Sequence, residues 1–250
     1  MDAETIDAER RPRTVGRRVR RIEDPALLRG RGRFLDDVEV PGLRHVAFVR
    51  SPYAHARVGP IDVAPALAVP GVEAVVTAAD LEPVLTNLRL PLHFPPGRLG
   101  HEAMPPVLAG AEVRYAGEAV ALVVATSRYA AEDGADAVLV DWEPLPVVTD
   151  PREALAEGAD RARLDLASNL LVRLDVAYGA VDEAFAEADH VFRETLFQHR
   201  GCAHPMEGRG TIAASEPGTG GLTIWSSSQA GHELRDVVAE MLGREPDDVR

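Results

Sequence analysis

The apolar residues of this chain occur in short runs bounded by glycine and proline. The segments RHVAFVRS (44–51) and GVEAVVTA (71–78) are rich in valine and alanine, and a Pro-Gly pair precedes or opens each of them. Runs of this length and composition are typical of β-strands, and Pro-Gly predicts a tight turn. The chain is therefore predicted to fold around short strands that reverse direction at these turns.

Further strands are predicted along the chain. Two are expected around Gly117, and the others in segments that alternate between apolar and polar residues or are rich in valine and isoleucine. These segments are VLVDWEPLPVV (138–148), HVFRETLFQHR (190–200), PMEGRGTIAAS (205–215) and GGLTIWSSS (220–228). The composition of the EPGTGG segment predicts a turn between the last two.

Helical patterns interrupt these strands and predict an α+β fold. Thr126 and Ser127 precede an alanine-rich run, as expected at a helix start, and GAVDEAFAEAD (179–189) predicts a second helix. A third helix is predicted in the closing segment, and Gly243 is expected to end it. The apolar residues of that segment recur on one helix face at Leu234, Val237, Val238, Met241 and Leu242.

Four regions follow from these patterns. Residues 1–24 form a basic N-terminal arm, and residues 25–148 form an α+β unit with several strands and at least one packed helix. Residues 149–175 form a linker with a short helix, and residues 176–250 form a second unit. Within the first unit, 81–110 holds six prolines and three glycines, which predicts a long loop of the kind that is often functional.

Composition excludes several classes of protein. No apolar run approaches the roughly 18 residues that a membrane span needs, and no apolar signal-peptide stretch follows the arginine-rich start, so we expect a cytoplasmic protein. All 27 basic residues are arginine, which excludes enzymes that depend on a lysine for Schiff-base or phosphate chemistry. The single cysteine, Cys202, excludes an internal disulfide and a cysteine-ligated iron–sulfur cluster in this chain.

The charge is distributed unevenly. Residues 1–33 carry a net charge of +4, whereas the rest of the chain carries −17 of the total of −13. An acidic body argues against nucleic-acid binding, because a phosphate backbone needs a positive surface. The segment RRPRTVGRRVRR (10–21) has no aromatic side chain to stack on bases. An arm lying on an acidic surface is therefore favoured over an RNA-binding or targeting tail.

Four potential metal ligands lie within nine residues, namely His199, Cys202, His204 and Glu207. A zinc site normally needs two ligand pairs that converge from separate segments. If 205–214 is a strand, these side chains point to different faces. We therefore favour a polar strand-to-strand connection in which a buried Glu207 is hydrogen-bonded to the backbone.

A polar elbow, SSSQ (226–229), follows the last apolar strand and precedes the closing helix. Ligands bind at the carboxyl ends of strands in many sheet folds, and a helix N-terminus carries partial positive charge. The neutral amide of Gln229 can hold an oxygen without adding charge. From the residues alone, a helix cap built from serine and glutamine is the favoured interpretation.

Several long blocks resemble the large, molybdopterin-binding subunit of the molybdenum hydroxylases, the family of xanthine dehydrogenase, aldehyde oxidase and aerobic carbon monoxide dehydrogenase. The blocks are GRRVRRIEDPALLRGRGRFLDDVEVPGLRHVAFVRSPYAHARVGPID (16–62), VRYAGEAVALVVATSRYAAEDGADAVLVDWEPLPVV (113–148), HPMEGRGTIAA (204–214) and LTIWSSSQAGHELRDVVAEMLG (222–243). The family usually shows Gly-Glu-Pro where this sequence has GEA at 117–119.

The resemblance implies an α/β hammerhead-type domain at 25–148, followed by the truncated start of a mixed α/β molybdopterin-binding domain at 176–250. It implies that Gln229 lies beside the molybdenum of a molybdenum–pterin cofactor, and this implication reverses the preference for a helix cap. It also implies FAD-binding medium and 2Fe-2S small subunits as partners, and a small-molecule substrate. The family's catalytic glutamate lies beyond the equivalent of Arg250, so we expect no turnover from this chain alone.

Three functions are then possible, in this order. The first is part of a molybdenum hydroxylase that oxidises an aldehyde, an N-heterocycle or carbon monoxide. The second is a non-catalytic binding or assembly module that retains the hammerhead domain. The third is an RNA-binding protein that uses its arginine-rich arm, for which the acidic body is unfavourable.

Overall fold

The computed structural model describes residues 15–91, 103–199 and 201–250. Most of the predicted arm therefore lies outside the described residues, and so does the centre of the predicted loop at 81–110. The described residues confirm the α+β fold. They divide into a first unit with two small sheets and a second unit built around a β-hairpin and a helix.

The first unit contains two three-stranded antiparallel sheets. In the first sheet, β5 (Ala119–Ala125) lies between β1 (His45–Arg50) and β3 (Val72–Thr77). In the second sheet, β2 (Ala56–Asp62) lies between β4 (Glu112–Val113) and β6 (Leu139–Pro144). Apart from β2, these strands confirm the predictions from sequence.

Strand β2 was not predicted, because Gly59 and Pro60 stand in its middle. Proline removes a ladder donor and is tolerated in a sheet only at an edge or a bulge. The register between β2 and β6 shifts between Val58 and Ile61, so Gly59 and Pro60 lie at an irregularity in the ladder. Gly59 also allows close contact with Asp141, because an added Cβ would lie 3.1 Å from the Cβ of that residue.

Four helices of the first unit lie within the described residues. Three are single turns, α1 (Asp24–Leu27), α2 (Ala64–Leu67) and α3 (Ala78–Leu81). The fourth, α4 (Arg128–Ala137), packs on the first sheet. Its start confirms the prediction, because the Ser127 hydroxyl accepts a hydrogen bond from the Ala130 amide at 3.2 Å.

The core lies between the two sheets and α4. Val113, Val120 and Val123 are fully buried, and side chains from both sheets pack around them. Gly134 in α4 lies against this core, because a Cβ added to it would be 2.7 Å from Val72 Cγ2 and 2.8 Å from Val123 Cγ1. Because glycine has no side chain, α4 can pack this closely against the sheet at Gly134.

A buried polar pair joins the second sheet to the chain that follows it. The Nδ1 atom of His55 is 2.6 Å from the Pro146 carbonyl, and its Nε2 is 2.7 Å from Glu112 Oε1. A carbonyl only accepts, so Nδ1 carries a hydrogen, and one further proton must lie between Nε2 and the carboxyl group. Glu112 also accepts a hydrogen bond from the Leu164 amide at 2.8 Å.

Arginine–carboxylate contacts surround this pair. Burial raises the pKa of Glu118, although Arg114 lies close and its backbone amide donates to the carboxyl group. Asp165 accepts hydrogen bonds from Arg163 and, at 3.1 Å, from Arg89, and the Arg163 guanidinium lowers the pKa of Asp165. The predicted linker at 149–175 is thus attached to the first unit by charged contacts.

The second unit contains α5 (Val181–Glu187), an antiparallel hairpin of β7 (Thr211–Ser215) and β8 (Leu222–Ser226), and α6 (Gly231–Leu242). Val249 and Arg250 run parallel to β8, with hydrogen bonds to Leu222 and Ile224. The helix α6 ends as predicted at Gly243, which has a φ of 62° and adopts the left-handed conformation.

One strand prediction in the second unit is wrong, because residues 190–199 form no strand. The strand predicted for 205–215 is confirmed only in its second half, since it begins at Thr211. A strand requires a neighbour to accept and donate its backbone hydrogen bonds. The described residues provide no such neighbour for 190–199. The segment therefore alternates between apolar and polar residues but forms no sheet.

The two units contact each other through the loop at 81–110. The Thr86 amide donates to the Met241 carbonyl at 2.8 Å, and its hydroxyl donates to the Glu240 carbonyl at 2.7 Å. These carbonyls belong to the last turn of α6, where carbonyls lack the amide four residues on, and the Glu240 carbonyl also accepts from the Gly243 amide at 3.1 Å. Thr86 therefore caps the helix that follows the polar elbow.

Within the described residues, no helix is long and apolar enough to cross a membrane.

Replacing Gly134 with alanine should destabilise the first unit. The added Cβ would overlap two core methyl groups, and overpacking costs about 1–3 kcal/mol, more than the roughly 0.5–1 kcal/mol that alanine gains over glycine in a helix. Chemical denaturation should therefore give a lower free energy of unfolding. The exposed neighbour Asp133→Ala is the control, and equal behaviour of the two variants would contradict the packing described here.

Replacing Asp165 with asparagine should lower the free energy of unfolding at pH 7 by about 1 kcal/mol. Because the pKa of Asp165 is lowered in the folded state, its contribution is present above the unfolded pKa of about 4 and is lost as pH falls through the folded value. The difference between the wild type and the variant should therefore shrink below about pH 4.

The chain provides a matched control for this experiment. Arg173 and Asp175 repeat the Arg-Leu-Asp spacing of Arg163 and Asp165, but both side chains of that pair are 77% exposed. Asp175→Asn should leave the free energy of unfolding unchanged at both pH values, because exposed ion pairs contribute little. An equal loss in both variants would show that Asp165 does not attach the linker.

Candidate functional site

The polar elbow lies where β8 ends and α6 begins, as predicted. Its first two serines are held by the start of β7. Ser226 Oγ is 3.1 Å from Thr211 Oγ1, and Ser227 Oγ accepts from the Gly210 amide at 3.0 Å. The Ser227 amide donates back to the Gly210 carbonyl at 3.2 Å. These hydrogen bonds fix the direction in which the chain leaves the hairpin.

The remaining half of the elbow does not cap the helix with Gln229. The N-cap residue of α6 is Ala230, which has no side-chain cap, and the Ser228 hydroxyl accepts from the Ala230 amide at 3.1 Å. Gln229 is exposed, and no hydrogen bond joins its side chain to another described residue. The three serine side chains are hydrogen-bonded within the protein. The side-chain amide of Gln229 is therefore available to bind a ligand.

The elbow is linked to the HPMEGRG segment and through it to the N-terminal part of the chain. Glu207 accepts a hydrogen bond from the Leu35 amide at 2.9 Å. Gly210, which pairs with Ser227, lies against the Leu35 side chain so closely that a Cβ could not be added without displacing it. The predicted hydrogen bond from the backbone to Glu207 is thus confirmed, with a donor 172 residues away. Glu207 is only half-buried, and no strand precedes it at 190–199, so those parts of the prediction are wrong.

The four potential metal ligands do not converge. Glu207 is engaged with Leu35, whereas Cys202 and His204 are exposed and contact each other, with Sγ 3.0 Å from Nε2. His199 stacks edge-on against Phe197. Within the described residues, no cluster of three or more histidine, cysteine or acidic side chains could hold a metal ion.

A cavity of about 210 Å³ lies beside the elbow, between β8 and α6. Ser226, Ser228 and Gly231 line one side of it, and Leu234 and Arg235 of α6 line another. Gln229 is not among its lining residues, so the amide lies at the elbow surface outside this cavity. The contacts of Leu35 and Thr86 with this region were not predicted, because no local pattern signals them.

The elbow has a defined chemical character. It presents a neutral amide and the N-terminal end of a 12-residue helix, whereas its three serine hydroxyls are engaged within the protein. Backbone amides at a helix N-terminus and an uncharged side-chain amide all donate hydrogen bonds, and they favour an oxygen atom that carries negative charge. Such an arrangement suits an oxygen-rich ligand better than a bare cation.

The described residues form two three-stranded sheets with a packed helix, followed by a hairpin and this elbow. Comparison with known families assigns this arrangement to the molybdopterin-binding class of proteins. The family described as aldehyde oxidase and xanthine dehydrogenase, a/b hammerhead domain, matches residues 29–146. The molybdopterin cofactor-binding domain matches residues 165–250. The chain belongs to this molybdenum hydroxylase family and corresponds to an N-terminal portion of its large subunit.

Individual relatives agree with this assignment. The chain is 42% identical over 230 residues to the nicotine 6-hydroxylase large subunit of Paenarthrobacter nicotinovorans, covering 92% of this chain and 28% of the relative. It is 37% identical over 246 residues to the carbon monoxide dehydrogenase large chain of Afipia carboxidovorans, covering 92% and 29%.

A solved structure gives the same result. Quinoline 2-oxidoreductase from Pseudomonas putida 86 superposes with a TM-score of 0.81 at 38% identity, covering 92% of this chain and 29% of that chain. The chain thus spans under a third of the length of these relatives. This likeness confirms the predicted hammerhead domain followed by a cofactor-binding domain.

Replacing Glu207 with leucine should release the Leu35 segment from the elbow. The Leu35 amide loses its acceptor, and an unpaired, partly buried donor costs about 1–3 kcal/mol. Hydrogen exchange at the Leu35 amide should therefore become about tenfold faster or more. Glu207→Gln retains an acceptor oxygen and is the control, so equal acceleration in both variants would contradict this contact.

Proposed function

We propose that this chain is part of the large subunit of a molybdenum-dependent hydroxylase or dehydrogenase. The proposed enzyme oxidises an aldehyde, an N-heterocycle or carbon monoxide, with water as the oxygen source. Electrons pass to 2Fe-2S and FAD centres on small and medium partner subunits. Support comes from the relatives, which include a nicotine 6-hydroxylase and a carbon monoxide dehydrogenase, both large subunits.

The residues of the elbow fit a molybdenum–pterin cofactor. An oxygen bound to molybdenum can accept a hydrogen bond, and a side-chain amide donates one without adding charge, whereas a carboxylate would repel that oxygen. Gln229 provides such a donor, and the described part of the elbow carries no acidic side chain. When bound, the cofactor supplies the two-electron redox chemistry of the substrate oxidation.

The proposed role of Gln229 is to donate a hydrogen bond from its amide to an oxygen of the cofactor. The exposed and unpartnered state of this amide is the observation that carries the proposal. The serines before it orient the backbone, with Ser227 fixed to Gly210 and Ser228 to Ala230. Because these contacts fix the backbone, only the side-chain torsions of Gln229 remain to be ordered when it donates, and a donor with little left to reorganise is the more effective.

A binding or assembly module without catalysis is the second candidate. It is favoured by the apolar side chains that stay exposed between 170 and 206, which are typical of an interaction surface. The two candidates differ in one measurement. The large subunit of an enzyme should retain molybdenum and pterin after purification, whereas the large subunit of a pure assembly protein should retain neither.

In the assembled enzyme, Gln229→Leu should lower kcat by about 100-fold, the usual effect of removing one such donor. Leucine has a similar size and cannot donate, so molybdenum content by mass spectrometry and melting temperature should change little. Steady-state turnover with a panel of aldehydes, N-heterocycles and carbon monoxide provides the assay. Glu132→Leu, at an exposed position of α4 in the first unit, is the control and should retain full turnover. Unchanged kcat in Gln229→Leu would refute the proposed role.

A further inference from the structure

The backbone at 208–210 surrounds Ser227, which lies two residues before Gln229. The Ser227 hydroxyl accepts a hydrogen bond from the Gly210 amide at 3.0 Å and lies 3.3 Å from the Gly208 carbonyl. The Ser227 amide donates to the Gly210 carbonyl at 3.2 Å. A displacement of this backbone would therefore move the part of the elbow from which the side chain of Gln229 projects.

One side chain joins the 207–210 segment to the first unit. Glu207 accepts a hydrogen bond from the Leu35 amide at 2.9 Å, and the Leu35 side chain packs directly on Gly210. Among the residues that the structure describes, no other hydrogen bond links this segment to the first unit. Leu35 therefore contacts both ends of the segment that surrounds the elbow serine.

The amide of Leu35 needs an acceptor from elsewhere in the chain. Leu35 opens a 3₁₀ turn, Leu35–Asp37, and the first amides of a helical turn have no acceptor within that turn. The next residue, Asp36, lies 3.0 Å from the Arg128 guanidinium of α4, which attaches the turn to the first unit. The carboxyl group of Glu207 thus binds a donor whose position is set outside the elbow.

We infer that Glu207 is a positioning residue for Gln229. Glu207 holds the 207–210 segment against Leu35, and the segment holds Ser227. Ser227 in turn sets the point from which the amide of Gln229 reaches an oxygen of the cofactor. In this role Glu207 touches neither substrate nor cofactor. The inference rests on the proposed function, because the position of Gln229 matters only if its amide is the donor.

The first test compares two substitutions of Glu207 in the assembled enzyme. Glu207→Leu should lower kcat per bound molybdenum by about tenfold and change KM by less than about twofold, because a misplaced donor weakens binding of the transition state more than binding of the substrate. Glu207→Gln retains an acceptor oxygen and should keep kcat within about threefold of the wild-type value. Equal losses in the two variants would overturn the inference.

A double variant separates positioning from general destabilisation. If Glu207 acts through Gln229, adding Glu207→Leu to Gln229→Leu should change kcat by less than about twofold, because residues that act as one unit are not additive. If the double variant instead loses as much again as Glu207→Leu loses alone, Glu207 acts by another route and the inference is wrong.

The same hydrogen bond can be removed from the donor side. Leu35→Pro deletes the amide hydrogen at the first position of the turn, where proline is accommodated, and Phe34 before it is extended, as proline requires. Leu35→Ala keeps the amide but lacks the side chain on Gly210, so it serves as the reference. Leu35→Pro should have a kcat at least about threefold below that of Leu35→Ala. The same kcat in both variants would contradict the assigned role.

Glu216→Leu is the control for losing a carboxyl group from the same hairpin. Glu216 accepts hydrogen bonds from the Thr219 and Thr223 hydroxyls at the turn between β7 and β8, which is the end opposite the elbow. This variant should retain the wild-type kcat. A loss equal to that of Glu207→Leu would show that any weakening of the hairpin lowers turnover, and the inference would fail.

Two outcomes distinguish this inference from the proposed function. A reduced kcat in Gln229→Leu together with an unchanged kcat in Glu207→Leu would overturn the inference and leave the proposed function intact. An unchanged kcat in Gln229→Leu would refute the proposed donor, and the positioning role of Glu207 would be refuted with it.

Discussion

The buried carboxyl group of Glu112 connects the parts of the structure on which the others depend. It is hydrogen-bonded to Nε2 of His55 at 2.7 Å and accepts a hydrogen bond from the Leu164 amide. Strands β2 and β4 and the segment leading to the second unit therefore meet at one side chain. A buried charge is tolerated only where partners satisfy it, and removing one partner leaves a cost of several kcal/mol. The path of the chain between the two units is therefore set by an electrostatic requirement.

Contacts from the first unit also determine where the polar elbow lies. Leu35 is held by Glu207 and packs on Gly210, and Gly210 pairs with Ser227 of the elbow. Thr86 caps the other end of α6. The elbow and the C-terminal end of α6 are thus both held by residues that precede them by more than a hundred positions. The hammerhead domain thus forms its own core and also supports the polar elbow.

Much of the fold could be predicted from local patterns, because the determinants are local. Ser127 as a cap and Gly243 as a stop act within one helix turn, and both were predicted correctly. Strand β2 was missed, because Gly59 and Pro60 are compatible with a strand only where a bulge relieves the ladder. The strand predicted at 190–199 was wrong, because alternation records which faces are apolar and cannot supply the neighbouring strand.

The sequence by itself determined the α+β class, the position of the elbow between a strand and a helix, and the family, since each follows from the order and spacing of residues. Only the tertiary structure decided which elbow side chains are occupied by neighbours and which one is free. Gln229 could have capped the helix as well as bound a ligand, since a side-chain amide serves both purposes. The direction of the backbone at Gln229 depends on Gly210 and Thr211. These residues reach Ser227 and Ser226 only after the hairpin has formed.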